Sequence, residues 1–91
     1  MRTRARRRIG YDFSEIYFKP RGIPLRELTE VNISKEEMET LRLRYIEKLD
    51  QLIAATRMGI SQSQYQRDVT SAMEKIIKAL MNGSALSISK E

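Results

Sequence analysis

The segment RMGISQSQYQR, residues 57–67, concentrates amide, hydroxyl and guanidinium groups that could recognise the edges of DNA base pairs. Glutamine can pair with N6 and N7 of adenine, arginine with O6 and N7 of guanine, and serine or threonine with bases or phosphates. A helix that begins at Ser61 and buries the stripe of Tyr65 must expose the neighbouring stripe. We expect that stripe to be a recognition surface, and its members are Ser61, Gln62, Ser63, Gln66, Arg67 and Thr70. The alternative is an ordinary solvated face, although such a face more often carries glutamate and lysine, which favour helix formation.

An arginine-rich arm at the N-terminus forms a second candidate site. Its arginines are Arg2, Arg4, Arg6, Arg7 and Arg8, with no acidic residue among them. The chain has 17 Lys and Arg and 12 Asp and Glu, so its net charge of +5 equals the charge of this arm and the remainder is formally neutral. Such an arm suits a polyanion, above all the phosphates or the minor groove of a nucleic acid. Charge alone leaves DNA, RNA, an acidic protein and a simply solvated terminus as alternatives.

The residue types that the chain lacks narrow its function class. The 91 residues have room for one domain and include neither cysteine nor histidine. Pairs of a nucleophile and a histidine are therefore excluded, and a zinc site would need carboxylates alone, which is uncommon. The serines and carboxylates show no catalytic spacing, so we expect no enzyme, no metal and no cofactor. The lack of cysteine fits a reducing cytoplasm, and we expect neither a signal peptide nor a membrane span, which needs ~18 apolar residues.

The elements that must position the recognition surface can be read from capping signals and helical periodicity. Ser34 and Glu37 form a Ser-x-x-Glu capping box, which predicts the start of a first helix. Its expected buried stripe consists of Met38, Leu41, Tyr45 and Leu49. Its charged residues are expected on the solvent side, and they are Glu39, Arg42, Arg44, Glu47 and Lys48.

Two further helices are expected to flank a turn at Gly59. The first runs from about Asp50 to Met58, and its buried candidates are Ile53, Ala54 and Ala55. Gly59 ends that helix in a left-handed conformation, Ile60 enters the core, and Ser61 caps the next helix. That third helix runs over about 61–81 and ends at Asn82-Gly83, with Asp68 expected off the recognition surface or paired with an arginine. Its expected buried stripe is Tyr65, Val69, Ala72, Met73, Ile76 and Leu80.

This pattern predicts a mostly α, three-helix helix-turn-helix domain with an extended N-terminal arm. We divide it into the basic arm (1–8), an extended segment that packs on the core (9–33) and the helix-turn-helix domain (34–91). The segments EVNI (30–33) and ALSI (85–88) could pair as a short two-stranded β-ribbon. The aromatic residues of the extended segment are expected to pack on the helices, with stacking on bases as the alternative, and they are Tyr11, Phe13, Tyr17 and Phe18.

Four blocks of the sequence resemble a small prokaryotic family known as domain of unknown function 134 or uncharacterised protein family 0251. They are YFKPRGIPL (17–25), SKEEMETLRL (34–43), AATRMGIS (54–61) and SALSI (84–88), and the first contains the most specific pattern, F-x-P-x-G-I-P-L. The resemblance runs from about residue 6 to residue 88. It implies a helix-turn-helix like region 4 of the sigma-70 factors and a role in transcription. It assigns the turn to Met58–Ser61 and part of the recognition helix to Tyr65–Arg67.

This chain departs from the family pattern at several points, and its first-helix block reads TLRLRYIEKL (40–49) where the family usually has ALRLADLEGL. Gln62 stands where the family usually has arginine or lysine, and Asp68 stands where it has an apolar residue. Leu52 and Ile53 replace an acidic pair of the second helix and add apolar surface that could cover a partner.

The sequence therefore predicts a sequence-specific double-stranded DNA-binding protein, a cytoplasmic transcriptional regulator that reads the major groove with the helix starting at Ser61. The competing hypothesis is an adaptor that docks on a protein of the transcription machinery without reading DNA sequence. RNA binding through the arm is a third alternative. A homodimer is also expected, because one helix-turn-helix reads only a short half-site. Leu52, Ile53 and the Leu80–Ile88 region offer apolar surface for it.

Overall fold

The computed structural model of the chain describes residues 8–13 and 16–89. Within them the chain forms three α-helices and a three-stranded sheet. The strands are β1 (Ile16–Phe18), β2 (Glu30–Ser34) and β3 (Ala85–Ser89), and the helices are α1 (Lys35–Leu41), α2 (Gln51–Met58) and α3 (Gln62–Asn82). A short 3₁₀ turn covers Leu25–Glu27, and a π-helical turn, Arg42–Ile46, continues α1. The predicted mostly α class is confirmed. No helix within these residues is long and apolar enough to cross a membrane.

The sheet has the strand order β1-β3-β2, with the last strand in the middle. β3 pairs in parallel with β2, where Ile33 faces Ile88, and antiparallel with β1, where Ile16 faces Ile88 from the other side. The parallel pair is possible because the helices between β2 and β3 provide the long crossover that parallel strands require. The predicted pairing of the 30–33 and 85–88 segments is confirmed. The structure extends the possible two-stranded ribbon to three strands, because the three residues of β1 also pair with β3.

The capping box at the start of α1 is formed as predicted. Ser34 Oγ accepts the N–H of Glu37 at 3.0 Å, and Glu37 Oε1 accepts the N–H of Ser34 at 3.1 Å. Beyond α1 the expected apolar stripe is wrong, because the helix widens into the π-helical turn. In that turn the Glu47 N–H donates to the Arg42 carbonyl at 3.0 Å. A wider turn changes which side chains face inward. Leu43 is therefore buried, while Tyr45 is 49% exposed.

Glu39 is buried at 2% exposure, although the sequence predicted a solvated side chain. The reason is the segment 8–13, which covers this side of α1. The Gly10 N–H donates to Glu39 Oε2 at 2.9 Å, and Arg42 donates to both carboxylate oxygens of Glu39 at 2.8 Å. These bonds to Glu39 raise the pKa of Arg42 above its ordinary value. Arg42 also reaches Glu47 at 3.1 Å and lies over the Tyr11 ring.

The hydrophobic core lies where α2 and α3 pack on the α1 region. Its buried members are Leu41, Leu43, Ala54, Ala55, Met58, Tyr65, Val69 and Ala72. Met38, Leu49, Ile60, Met73 and Ile76 pack around this cluster as partly buried residues.

Several core predictions at the edges of this cluster are wrong. Ile53 and Leu80 are exposed, and Ala79 is buried near the end of α3 instead of Leu80. Among the four aromatics of the extended segment, Phe13 is buried, whereas Tyr11, Tyr17 and Phe18 are exposed. Tyr17 and Phe18 lie on β1, at the edge of the sheet, where they are covered less than they would be by packing on the helices.

Candidate nucleic-acid interface

A tight turn joins α2 to α3 and fixes where the second of these helices begins. Asp50 caps α2, since its Oδ1 accepts the Ile53 N–H at 3.0 Å. At the other end Gly59 has φ +74° and ψ +31°, the left-handed conformation predicted for it. The Ile60 N–H donates to the Ala55 carbonyl at 3.1 Å, which satisfies the free end of α2.

Ser61 caps α3 as predicted. Its Oγ accepts the N–H of Gln64 at 3.1 Å, and its backbone is extended. Ser61 Oγ therefore accepts one bond at the helix start, and the Ser63 hydroxyl lies 3.4 Å away from it. The cap sets the first helical residue at Gln62, and this determines the direction in which every later side chain of α3 points.

The inner face of α3 is held against α1 by polar bonds as well as by apolar packing. Tyr65 is fully buried, and its hydroxyl donates to the Thr40 carbonyl at 2.7 Å. Glu37 Oε2 accepts the Ser71 hydroxyl at 2.7 Å, and Glu37 Oε1 accepts Lys75 Nζ at 2.9 Å. These bonds reach α3 along about half of its length and hold one side of it inward, so the opposite side faces out.

The pKa values of two of these anchors respond to burial in different ways. Burial raises the pKa of the Tyr65 phenol, which therefore stays a neutral hydrogen-bond donor. Burial alone would also raise the pKa of Glu37. The hydrogen bonds from Ser71, from Lys75 and from the Ser34 N–H outweigh that effect and hold the pKa of Glu37 below its ordinary value. Glu37 is thus a charged anchor between α1 and α3 at neutral pH.

The outer face of α3, together with its cap Ser61, carries the residues predicted to form the recognition surface. All six are exposed, and they are Ser61, Gln62, Ser63, Gln66, Arg67 and Thr70. Gln66 Nε2 donates to Thr70 Oγ1 at 3.3 Å, so these two side chains lie side by side one turn apart. The face therefore presents amide, hydroxyl and guanidinium groups to solvent.

Arg67 and Asp68 are linked through Gln64 at the edge of this face. Arg67 donates to Gln64 Oε1 at 3.0 Å, and Gln64 Nε2 donates to Asp68 Oδ1 at 2.8 Å. Asp68 is only partly exposed and lies off the outer face, as expected, and it accepts a hydrogen bond from the Gln64 amide. The same bonds hold the Arg67 guanidinium in place.

Of the basic arm, only Arg8 falls within the described residues, and Arg2, Arg4, Arg6 and Arg7 lie outside them. The Arg8 N–H donates to the Met58 carbonyl at 3.1 Å. The Arg8 guanidinium carbon lies 3.5 Å from the position that a Cβ on Gly59 would occupy. The last arginine of the arm is therefore attached to the end of α2, next to the turn that leads into α3.

Two features of this surface were not predicted from the sequence. A cleft of about 420 Å³ opens beside the turn, and its lining is Arg8, Ile9, Gly10, Glu39, Arg42, Leu43 and Arg57. A second groove, of about 490 Å³, runs between the π-helical turn and α3, where Arg44 and Tyr45 lie beside Gln66, Thr70 and Ile77. Neither could be found by spacing, because each joins residues from separate elements. Within residues 8–13 and 16–89, no cluster of acidic side chains could hold a metal ion.

Comparison with known proteins gives one family. The family model described as "Protein of unknown function DUF134" matches residues 1–90. A UPF0251 protein of Halothermothrix orenii is 48% identical over 80 residues, which cover 88% of this chain and 59% of that protein. A UPF0251 protein of Desulforudis audaxviator is 45% identical over 82 residues, or 90% of this chain and 54% of that protein.

This chain covers a larger share of a third relative, which is archaeal. A UPF0251 protein of Methanosarcina acetivorans is 44% identical over 87 residues, which are 96% of this chain and 78% of that protein. The chain thus spans little more than half of the two bacterial relatives and more of this archaeal one. No solved structure gives a significant match.

Proposed function

We propose that this chain, which belongs to the DUF134 family of proteins of unknown function, binds double-stranded DNA in a sequence-specific manner and regulates transcription in the prokaryotic cytoplasm. In this proposal α2, the turn at Gly59 and α3 act as a helix-turn-helix, and α3 enters the major groove. The observation that carries it is the division of α3 into two sides. One side is held on α1 by Tyr65 and Glu37, and the other presents six exposed hydrogen-bonding side chains.

The chemistry of the outer face supports base recognition. The major groove is about 12 Å wide and accepts an α-helix, and each base pair shows a distinct set of donors and acceptors there. Gln66 has both a donor and an acceptor for adenine, and Arg67 has the paired donors that guanine requires. Because Gln64 holds the Arg67 guanidinium at 3.0 Å, less side-chain freedom would be lost when Arg67 meets a base.

The charge distribution supports the same partner. Phosphate contacts supply most of the non-specific affinity of a protein for DNA, and the net charge of +5 is available for them. Arg8 is attached at the end of α2, so this part of the arm lies beside the proposed recognition helix.

Selection of bound sequences from a random library of DNA duplexes tests the proposal. We expect enrichment of a short motif. Gln66→Ala and Arg67→Ala should then each weaken binding to the selected site by ~1–3 kcal/mol and relax preference at one or two base positions. Binding to random DNA should change less. Thr29→Ala is the control, since Thr29 is exposed and its carbonyl accepts the Ala85 N–H, beyond the end of α3 opposite to the six residues.

The alternative function is that of a protein-binding adaptor, and the groove beside α3 favours it. Tyr45 and Ile77 are exposed along that groove, which is about 490 Å³ in volume. If no motif is enriched, or if Gln66→Ala and Arg67→Ala weaken specific and random duplexes equally, the outer face is a solvated surface and the adaptor becomes the better explanation.

A homodimer is part of the proposal, since two copies would read two half-sites. Leu52 and Ile53 on α2 and Leu80 and Met81 at the end of α3 are exposed apolar residues that could form its interface. Ile88, included in the expected surface, is buried in the central strand and is not available. Light scattering at high protein concentration, with and without DNA, measures this directly, and a monomeric mass in both conditions would contradict it.

A further inference from the structure

We propose that Arg8 and Arg57 together bind one phosphodiester of the DNA backbone, in the cleft beside the turn between α2 and α3. The inference rests on the proposed function and adds a backbone anchor to the base-reading face. It assigns a role to Arg57, which belongs to neither of the two candidate sites predicted from the sequence.

The charge balance of the cleft is the first argument. Three arginines line it, namely Arg8, Arg42 and Arg57, and its acidic residue is Glu39. Both oxygens of Glu39 are already occupied by Arg42, and one of them also accepts the Gly10 N–H. The carboxylate that could neutralise the cleft is therefore saturated.

Arg8 and Arg57 are the two charges that remain. Both side chains are exposed, and neither has an ion pair with any residue in 8–13 or 16–89. Two guanidinium groups at one cleft repel each other in the free protein, and an anion between them removes that repulsion. A phosphate suits the site because guanidinium groups bind its oxygens with two parallel hydrogen bonds.

The position of the cleft is the second argument. Arg57 lies in the last turn of α2, one residue before Met58, whose carbonyl accepts the Arg8 N–H at 3.1 Å. Gly59 has no Cβ, and the Arg8 guanidinium lies over the place where one would be. The main-chain bond and this contact hold Arg8 beside the turn. The cleft therefore lies where α3 begins, and a helix that enters the major groove has a phosphate backbone on either side.

A simpler role for Arg57 has to be separated from phosphate binding. A positive charge in the last turn of a helix also complements the helix dipole. Arg57→Lys keeps that charge but loses the paired donors, whereas Arg57→Gln loses both. Arg8→Gln tests the partner, because its main-chain bond to Met58 does not need the side chain. Arg26→Gln is the matched control, since Arg26 is exposed in the 3₁₀ turn and does not line the cleft.

The first measurement uses inorganic phosphate and the protein without DNA. The arginine Nε–Hε resonances are followed by NMR during the titration. We expect saturable shifts for Arg8 and Arg57 and none for Arg26. Uniform shifts of all three, or none at all, would overturn the phosphate cleft.

The second measurement uses a DNA duplex at several salt concentrations. Each lost phosphate contact should reduce the slope of log affinity against log salt by about 0.9. We therefore expect reduced slopes for Arg57→Gln and Arg8→Gln, an unchanged slope for Arg26→Gln, and for Arg57→Lys weaker binding with a slope close to that of the wild type.

The two measurements together separate the two proposals. Equal slopes for Arg57→Gln and Arg26→Gln would overturn the cleft and leave DNA binding intact. Failure of the wild-type protein to bind any duplex, with the Arg8 and Arg57 shifts retained, would overturn the DNA proposal and leave a site for phosphate of another source.

Discussion

Removal of one buried hydroxyl tests whether α3 is oriented by its polar bond to α1. Tyr65 is fully buried, and its hydroxyl donates at 2.7 Å to the carbonyl of Thr40, which is also fully buried. Tyr65→Phe keeps the ring and its packing but leaves that carbonyl without this donor. The net contribution of one hydrogen bond to stability is about 0.5–1.5 kcal/mol, and a buried acceptor left unsatisfied costs about 1–3 kcal/mol. We expect the free energy of unfolding to fall by ~1–2 kcal/mol.

Urea denaturation followed by circular dichroism measures this loss. The midpoint should fall while the denaturant slope stays unchanged, because the buried area is the same. The melting temperature should fall by about 4–8 °C for each kcal/mol in a domain of this size. Tyr45→Phe is the control, because Tyr45 is half exposed and its substitution should change stability by less than about 0.5 kcal/mol. Equal effects of the two substitutions would refute the reasoning, and the Tyr65–Thr40 hydrogen bond would then contribute little to holding α3 on α1.

Four further outcomes follow from the same structure. Ala55→Leu should overpack the α2–α3 contact and cost ~1–3 kcal/mol, so an unchanged melting temperature would contradict that contact. Gly59→Val should cost more than Ala55→Leu, since φ is +74° there and a β-branched residue is strained in that conformation, which thermal denaturation will compare. Because the pKa of Glu37 in the folded protein lies below its ordinary value of 4.5, its stabilising effect is present above that pH and is lost as the pH falls through the folded value. Urea titrations should therefore show a smaller loss of stability on acidification for Glu37→Gln than for the wild type. Deletion of residues 2–8 should weaken binding to every duplex and reduce the salt slope by up to roughly 4.5, at about 0.9 per arginine.

Helix boundaries were predictable because the signals that set them are local. Ser34, Gly59, Ser61 and Gly83 each act on backbone groups within a few residues, and each ends or begins a helix where the sequence predicted. The π-helical turn was not predictable, since the run from Arg42 to Ile46 also fits an ordinary helix.

Burial was less predictable because it depends on segments that are distant in sequence. Glu39 fits a solvent-facing position in α1, and only the docking of segment 8–13 makes it a buried ion-pair partner. β1 has three residues, too few to show alternation, and it is recognised only through its pairing with β3.

The exposure of the six selected residues at the start of α3 was predictable, whereas the cleft was not. A cap and a period of 3.6 residues are enough to decide which side chains of one helix point outward. Arg8 and Arg57 share a cleft because a main-chain hydrogen bond brings two separate segments together. No spacing within the sequence carries that information.

The central position of β3 has a consequence for the order in which the protein folds. β3 pairs Ile88 with Ile16 on one side and Ala85 with Glu30 on the other, so both pairings close long loops of chain. Loop closure must be completed before such contacts contribute, and structures dominated by distant contacts form slowly. The α2–α3 unit is local by comparison and can form early, while β1 and β2 remain unpaired until residues 85–89 have been synthesised. Hydrogen-exchange labelling during refolding should therefore protect amides of α3 before those of β3, and simultaneous protection would contradict this order.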